Sequence, residues 1–296
     1  MMECVGEGEA PARGFSQDFS GRGEDMFTGH YHFFDYKYNI TGYAGQDFGG
    51  LAQYVYLAVS VILLAALLTA LRKAPEERVR RIIGILGIFL TVFYLGKTTW
   101  ESYYDIRQSG GFNTGLLPLD TCSIIMPAAI LAGFGRGKVQ RMAASWIATG
   151  GIVGGLATML FLHAFKYYPF FSFGAFYSMI WHFLMVFMGL LILVTKRDRL
   201  RFSLVTDGFL LHFLVSVFVI PVDFIFRFDF MLYRELGGVP FFEDVASRLT
   251  ERGLAFLNPM LMLILYFVAF SLIYAVASLL KKPKRAPVPV GSPRAV

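Results

Sequence analysis

The sequence predicts an all-α fold: a polytopic bundle of seven transmembrane helices, with the amino terminus outside and the carboxyl terminus inside. Three observations carry this. The 296 residues are 56% hydrophobic and 16% charged, against about 25% charged in an ordinary soluble domain, and mean hydropathy is +0.56. Apolar runs near the ~20 residues that cross a bilayer recur along the chain. Basic residues collect in alternate loops. Only helices and closed barrels satisfy the backbone in hydrocarbon, and these runs are too long for barrel strands.

The first span is read as Leu51–Leu71 and the second as Ile82–Tyr103. The third, Leu116–Phe134, is the least regular, because Asp120 and Pro127 interrupt it and Pro127 is expected to bend it or locally free a carbonyl. The fourth covers Met142–His163, the fifth Ala175–Thr195, the sixth Leu204–Asp223 and the seventh Leu254–Leu280. "RKAPEERVRR" after the first span holds five basic residues, "GRGKVQR" after the third three, and "KRDRLR" after the fifth four. The loops after the second and fourth spans hold one each. Lys and Arg favour the cytoplasmic side, which sets the orientation.

Three regions follow: an extracytoplasmic polar and aromatic segment (1–49), the seven-span domain (50–280) and a basic cytoplasmic tail (281–296). The first 48 residues lack an apolar stretch of the kind a cleaved signal needs. The plasma membrane is the expected location. The net charge of +6 lies beside apolar segments, so it serves topology and anionic headgroups; no nucleic-acid partner is expected. Two distant cysteines make no disulfide framework, and Cys4, in a Gly- and Glu-rich tail, is expected to be inert. "YHFFDYKYNITGYAGQDF" reads as an interfacial aromatic belt or a substrate-facing cap. Its "NIT" is a glycosylation sequon only in a eukaryotic secretory pathway. The long loop after the sixth span reads as a connector or an amphipathic interfacial helix.

Ionisable groups inside spans are costly and are functional candidates by default. Threading the spans places Lys97, Glu101, Asp120, Cys122, His163, His182, Asp223 and Asn258 towards the outer half, with His212 near mid-span. Lys97 and Glu101 are four apart, hence on one helix face. Cys122 and His182 fall at similar depth, where an imidazole can take a thiol proton and make a nucleophile. Asp120 can orient a base or pair with Lys97. The expected catalytic set is Cys122, His182 and Asp120; the expected substrate-binding set is Lys97, Glu101, His163, His212, Asp223 and Asn258.

Each has a plainer reading. Cys122 can be a small apolar filler, Lys97 and Glu101 a structural ion pair, and His182 a helix–helix hydrogen-bonding residue. His163 can be simply interfacial, His212 a support for the fold, Asp223 a span terminator, and Asn258 a helix cap. "ATGGIVGGLATM" permits close helix packing and lacks the lysine of a nucleotide loop. There is no CxxC and no HExxH. A metal site built from His163, His182, Asp120 and Asp223 is geometrically open, but spacing does not demand one, and no metal is expected. The seventh span has no lysine for a retinal Schiff base. No cofactor is expected.

"LPLDTCSIIMP", followed about fifty residues later by "FFSFGAFYSMIWHF", resembles the TMEM164/YwaF family of integral membrane proteins across roughly the second to sixth spans. In its animal branch that resemblance implies a cysteine-dependent acyltransferase moving a fatty acyl chain between phospholipids to an ether lysophospholipid. The matching positions are Cys122 and His182, and phospholipids are the implied partners. A small-molecule transporter using the same outer polar cavity is the alternative, and a structural or receptor-like membrane protein a third.

Overall fold

The computed structural model describes residues 31–37, 39–40, 50–110, 114–160, 165, 168–195, 200–234 and 240–280. Cys4, His163, the sequon threonine and the basic tail lie outside the described residues. Among those described, all regular structure is helical, and seven helical segments are long and apolar enough to cross a membrane. The expected bundle is therefore present.

Helix α1 spans Leu51–Leu71, and α2 spans Glu76–Ser109. At 34 residues α2 is longer than expected at both ends, so it projects beyond the hydrocarbon. The third span starts with two 3₁₀ turns, Thr114–Leu116 and Thr121–Ile124, before α3, Ile125–Phe134. Pro127 stands in the first turn of α3, just after the 3₁₀ turn, so the span changes helix type beside it. The fourth span is α4, Gly137–Trp146, then a π-helical turn, Ile147–Gly151, then α5, Ile152–Leu160. The remaining spans are α6 (Phe173–Thr195), α7 (Ser203–Phe226) and α9 (Asn258–Leu279). Between α7 and α9 lies α8, Pro240–Glu251, whose Ala246 is buried while Asp244, Ser247 and Arg248 are exposed, the two-faced helix the loop admits.

Spans three, four and five form the centre: 61%, 67% and 61% of their apolar stretches are buried, against 11% for α1 and 17% for the seventh span. A fully apolar helix with little burial is what hydrocarbon, not water, tolerates. The main core joins Ile125, Trp146, Ile147, Met185, Met188 and Phe270. A smaller one joins Tyr56, Met159, Phe165 and Val186 under α1, where the Tyr56 hydroxyl donates to the Met179 carbonyl at 2.9 Å.

Helices α2 and α3 meet at glycine. A Cβ on Gly133 would lie 2.3 Å from the Gly84 Cα, closer than any side chain allows, so the backbones touch directly as small residues permit. At the same place Arg80 Nη2 donates to the Gly135 carbonyl at 2.9 Å, meeting the negative end of α3 with a cation. Residues 31–37 and 39–40 form a strap across the ends of α2 and α6. Phe173 N donates to the Phe33 carbonyl at 2.7 Å, and Trp100 Nε1 to the Phe34 carbonyl at 2.9 Å.

Gly133→Ala is expected to pry α2 from α3 and lower stability by about 1–3 kcal/mol. Gly96→Ala, where a new Cβ meets nothing within 4 Å, is expected to be neutral or stabilising. Thermal unfolding in detergent micelles measures both, and equal midpoints for the two variants would contradict the close contact.

Candidate functional site

The cysteine turn is irregular backbone set inside the bundle. Asp120 is extended (φ −70°, ψ 154°) at the start of the Thr121–Ile124 turn, and its carbonyl accepts Ser123 N at 2.9 Å. The side chains of Asp120, Thr121 and Ser123 are buried. Cys122 is half-buried and packs on the main core; it is the free thiol among the described residues. The Thr121 hydroxyl bonds the Tyr266 hydroxyl of α9 at 2.7 Å, and both Cys122 and Asp120 lie within electrostatic reach of that phenol. On the α2 side, the Tyr94 hydroxyl donates to the Leu116 carbonyl at 2.5 Å.

Tyr266 leads to a histidine. Its ring lies 4.0 Å, centroid to centroid, from that of His212, which is fully buried on α7. Trp146 Nε1 donates to His212 Nδ1 at 3.4 Å. An indole can only donate, so Nδ1 accepts and Nε2 carries the proton. Nε2–H then donates to the Tyr233 hydroxyl at 3.2 Å; that hydroxyl bonds Ser216, whose Oγ donates to the His212 carbonyl at 2.7 Å. Every polar atom of the His212 ring is occupied, as a buried network requires.

His182 differs. It is buried on α6, and its Nδ1 donates to the Ser178 carbonyl at 2.8 Å. A carbonyl only accepts, so Nδ1 carries the proton and Nε2 holds a lone pair. Helix α5 packs against both the cysteine turn and α6; a Cβ on its Gly155 would lie 3.0 Å from the His182 carbonyl. The glycine-rich run thus serves close packing, as its composition suggests.

The other sequence candidates divide between two places. Lys97 and Glu101 form an ion pair on α2, and Lys97 Nζ lies 5.5 Å from the Tyr177 ring centroid. Asp223 closes the turn after α7: its Oδ1 accepts Phe230 N at 3.0 Å and its carbonyl accepts Phe228 N at 3.0 Å. That turn holds Arg227, Met231 and Leu232 at positive φ (58°, 55° and 61°), a strained path that needs such fixing. Asn258 does not cap its helix; its Nδ2 donates to the Arg234 carbonyl at 2.7 Å, tying α9 to the same turn. Among the described residues, no group of three or more His, Cys, Asp or Glu side chains is placed to share a metal ion.

Sequence reasoning missed Thr121, Trp146, Ser216, Tyr233 and Tyr266. Tyr266 shares its span with the hydroxyls of Ser271, Tyr274 and Ser278, so the sequence did not single it out; Tyr233 lies in a loop and carried no signal.

These features define a polytopic membrane protein in which a half-buried thiol sits beside a histidine-containing polar core. More narrowly, the chain belongs to the TMEM164 family, whose model matches residues 48–280. No curated protein and no solved structure matches it.

Tyr233→Phe removes one hydroxyl and leaves His212 Nε2–H and Ser216 without their shared partner. The expected loss is about 1–3 kcal/mol, read from denaturation in micelles. Ser216→Ala is expected to cost less, because Tyr233 still serves His212.

Proposed function

We propose that this protein is a membrane acyltransferase that carries a fatty acyl group from a phospholipid, through a thioester on Cys122, to a lysophospholipid or another lipid acceptor. The observation that carries the reading is the tautomer of His182. Its Nδ1–H is held by the Ser178 carbonyl, which makes Nε2 the basic nitrogen, as a carboxylate or carbonyl partner does for catalytic histidines generally. Family membership and the half-buried thiol support it.

In the first half-reaction His182 Nε2 takes the Cys122 proton, and the thiolate adds to the ester carbonyl of the donor. Collapse breaks the ester C–O bond and leaves the acyl group on sulfur. The departing lysophospholipid oxygen takes the proton back from Nε2. In the second, the acceptor hydroxyl gives its proton to Nε2 and attacks the thioester; the C–S bond breaks and the thiolate recovers the proton. The Ser178 carbonyl already orients His182, so Asp120, buried beside the cysteine, is proposed to act on the cysteine turn itself. Lys97 is held by Glu101, so its proposed contact with the lipid, at an oxyanion or a headgroup phosphate, runs through that pair. His212, Asp223 and Asn258 are proposed to hold the surrounding helices in place through the contacts described above. Residues 1–49 are proposed to face outside and 281–296 the cytoplasm, in the plasma membrane.

One observation favours transport as a second reading: the third span is a broken helix, as in many transporters. Substrate flux in proteoliposomes that persists in Cys122→Ser would select it.

Purified protein incubated with a phospholipid bearing a labelled acyl chain is expected to take up label on Cys122, released by hydroxylamine. Cys122→Ala abolishes it, and His182→Gln slows it by about 10²–10⁴-fold, the usual worth of a general base. Label bound equally by Cys122→Ala overturns the proposal.

A further inference from the structure

We propose that the membrane-facing side of α2, under the strap, is a binding site for one acyl chain of a phospholipid in the strap-side leaflet. A cavity of about 350 Å³ lies there, at the small end of ligand pockets. Phe89, Val92, Phe93, Gly96 and Trp100 line it from α2. Their spacing of three and four residues makes them one helix face. Phe173 of α6 forms the far wall, 4.9 Å from Trp100 and 6.2 Å from Phe93 by ring centroids. Phe34 of the strap closes the top.

Gly96 is what makes this a groove. Its neighbours on the face are large, and a Cβ at Gly96 would meet nothing within 4 Å. The row of side chains therefore has a gap in its middle. Phe89 and Val92, 44% and 64% exposed, form its outer rim. In a spanning helix that rim faces hydrocarbon. A gap there forfeits dispersion contacts unless something fills it, and the mobile material at that depth is lipid tail.

The dimensions fit. From Phe89 to Trp100 is eleven residues, about 16 Å along the helix axis, which matches one leaflet's share of a ~30 Å hydrocarbon core. Trp100 stands at the upper mouth with its indole N–H on the Phe34 carbonyl, the position tryptophan takes at a membrane interface. A chain so placed has its ester end uppermost and its methyl end near Phe89. A ladder of rings leads inward from the groove: Phe93 to Tyr177 at 4.7 Å, then Tyr177 to Trp181 at 5.3 Å. Trp181 is the residue before His182. The site rests on the bundle crossing a membrane, and it stands whether or not Cys122 transfers an acyl group.

The test uses full-length protein in phosphatidylcholine vesicles containing a trace of phosphatidylcholine with a photoactivatable diazirine in one chain. Labelled peptides are mapped by mass spectrometry. Label is expected to concentrate on Phe89–Trp100 and Phe173, above the background on Ile62 of α1 and Ile264 of α9, which are also exposed. Gly96→Leu occupies the groove and is expected to cut that label about tenfold, the displacement of roughly two methylenes, while labelling of α1 and α9 stays the same. Gly96→Ala falls between. Label spread evenly over α1, α2 and α9, or unchanged in Gly96→Leu, overturns the site. Because labelling needs no thioester, loss of Cys122 acylation alone would strike the acyltransferase reading and leave this one standing.

Discussion

Between Thr114 and Ile124 the third span has no α-helical hydrogen-bond ladder, and hydrocarbon offers its backbone no substitute. Each unsatisfied peptide group at that depth costs several kcal/mol, so irregular backbone survives there only when protein surrounds it. Much of the bundle follows from this need. Tyr94 reaches from α2 to the Leu116 carbonyl. The glycine contact of Gly84 with Gly133 draws α2 close enough for that reach. Helix α5 packs on the turn, and α9 supplies Tyr266 to Thr121. The more lipid-exposed α1 and α9 are left to face the membrane with little of their surface buried.

The same turn presents Cys122, and the two described histidines in the spans have opposite circumstances. His212 has both ring nitrogens bonded, by Trp146 and Tyr233, and its network ties α4, α7 and the loop after α7 together. A histidine so satisfied holds structure. His182 has Nδ1 bonded to its own helix, and among the described residues Nε2 has no hydrogen-bond partner. The contrast arises from partners rather than from residue type, since both lie buried in apolar helices.

The extra length of α2 carries the strap. Its outer end holds Trp100 and Tyr104, against which Tyr36 packs at 5.4 Å and 5.5 Å. Tyr168 joins them, 6.3 Å from Trp100. Burial pushes the Tyr168 phenol well above its ordinary range, and the Glu101 charge adds to the effect, so it stays a neutral hydroxyl among rings. The aromatic segment is thus a fitted cover over the ends of α2 and α6.

What the sequence determined by itself is the architecture. Hydrophobic runs of bilayer length and alternating loop charge specify seven spans, because the cost of an unsatisfied backbone in hydrocarbon leaves no other fold for such runs. Short-range geometry was equally legible: Lys97 and Glu101, four apart, do pair. The local path of "PLDTCSII" was not, since a 3₁₀ turn in a membrane is stable only through partners such as Tyr94 and Tyr266, tens of residues or more away in sequence. Nor were the assignments of His212 and Asn258, whose partners Tyr233 and Arg234 sit in a loop with no periodic pattern to read. Composition sets what the membrane must exclude. Which histidine has both ring nitrogens occupied is settled only when distant helices meet and each polar atom finds its hydrogen bond.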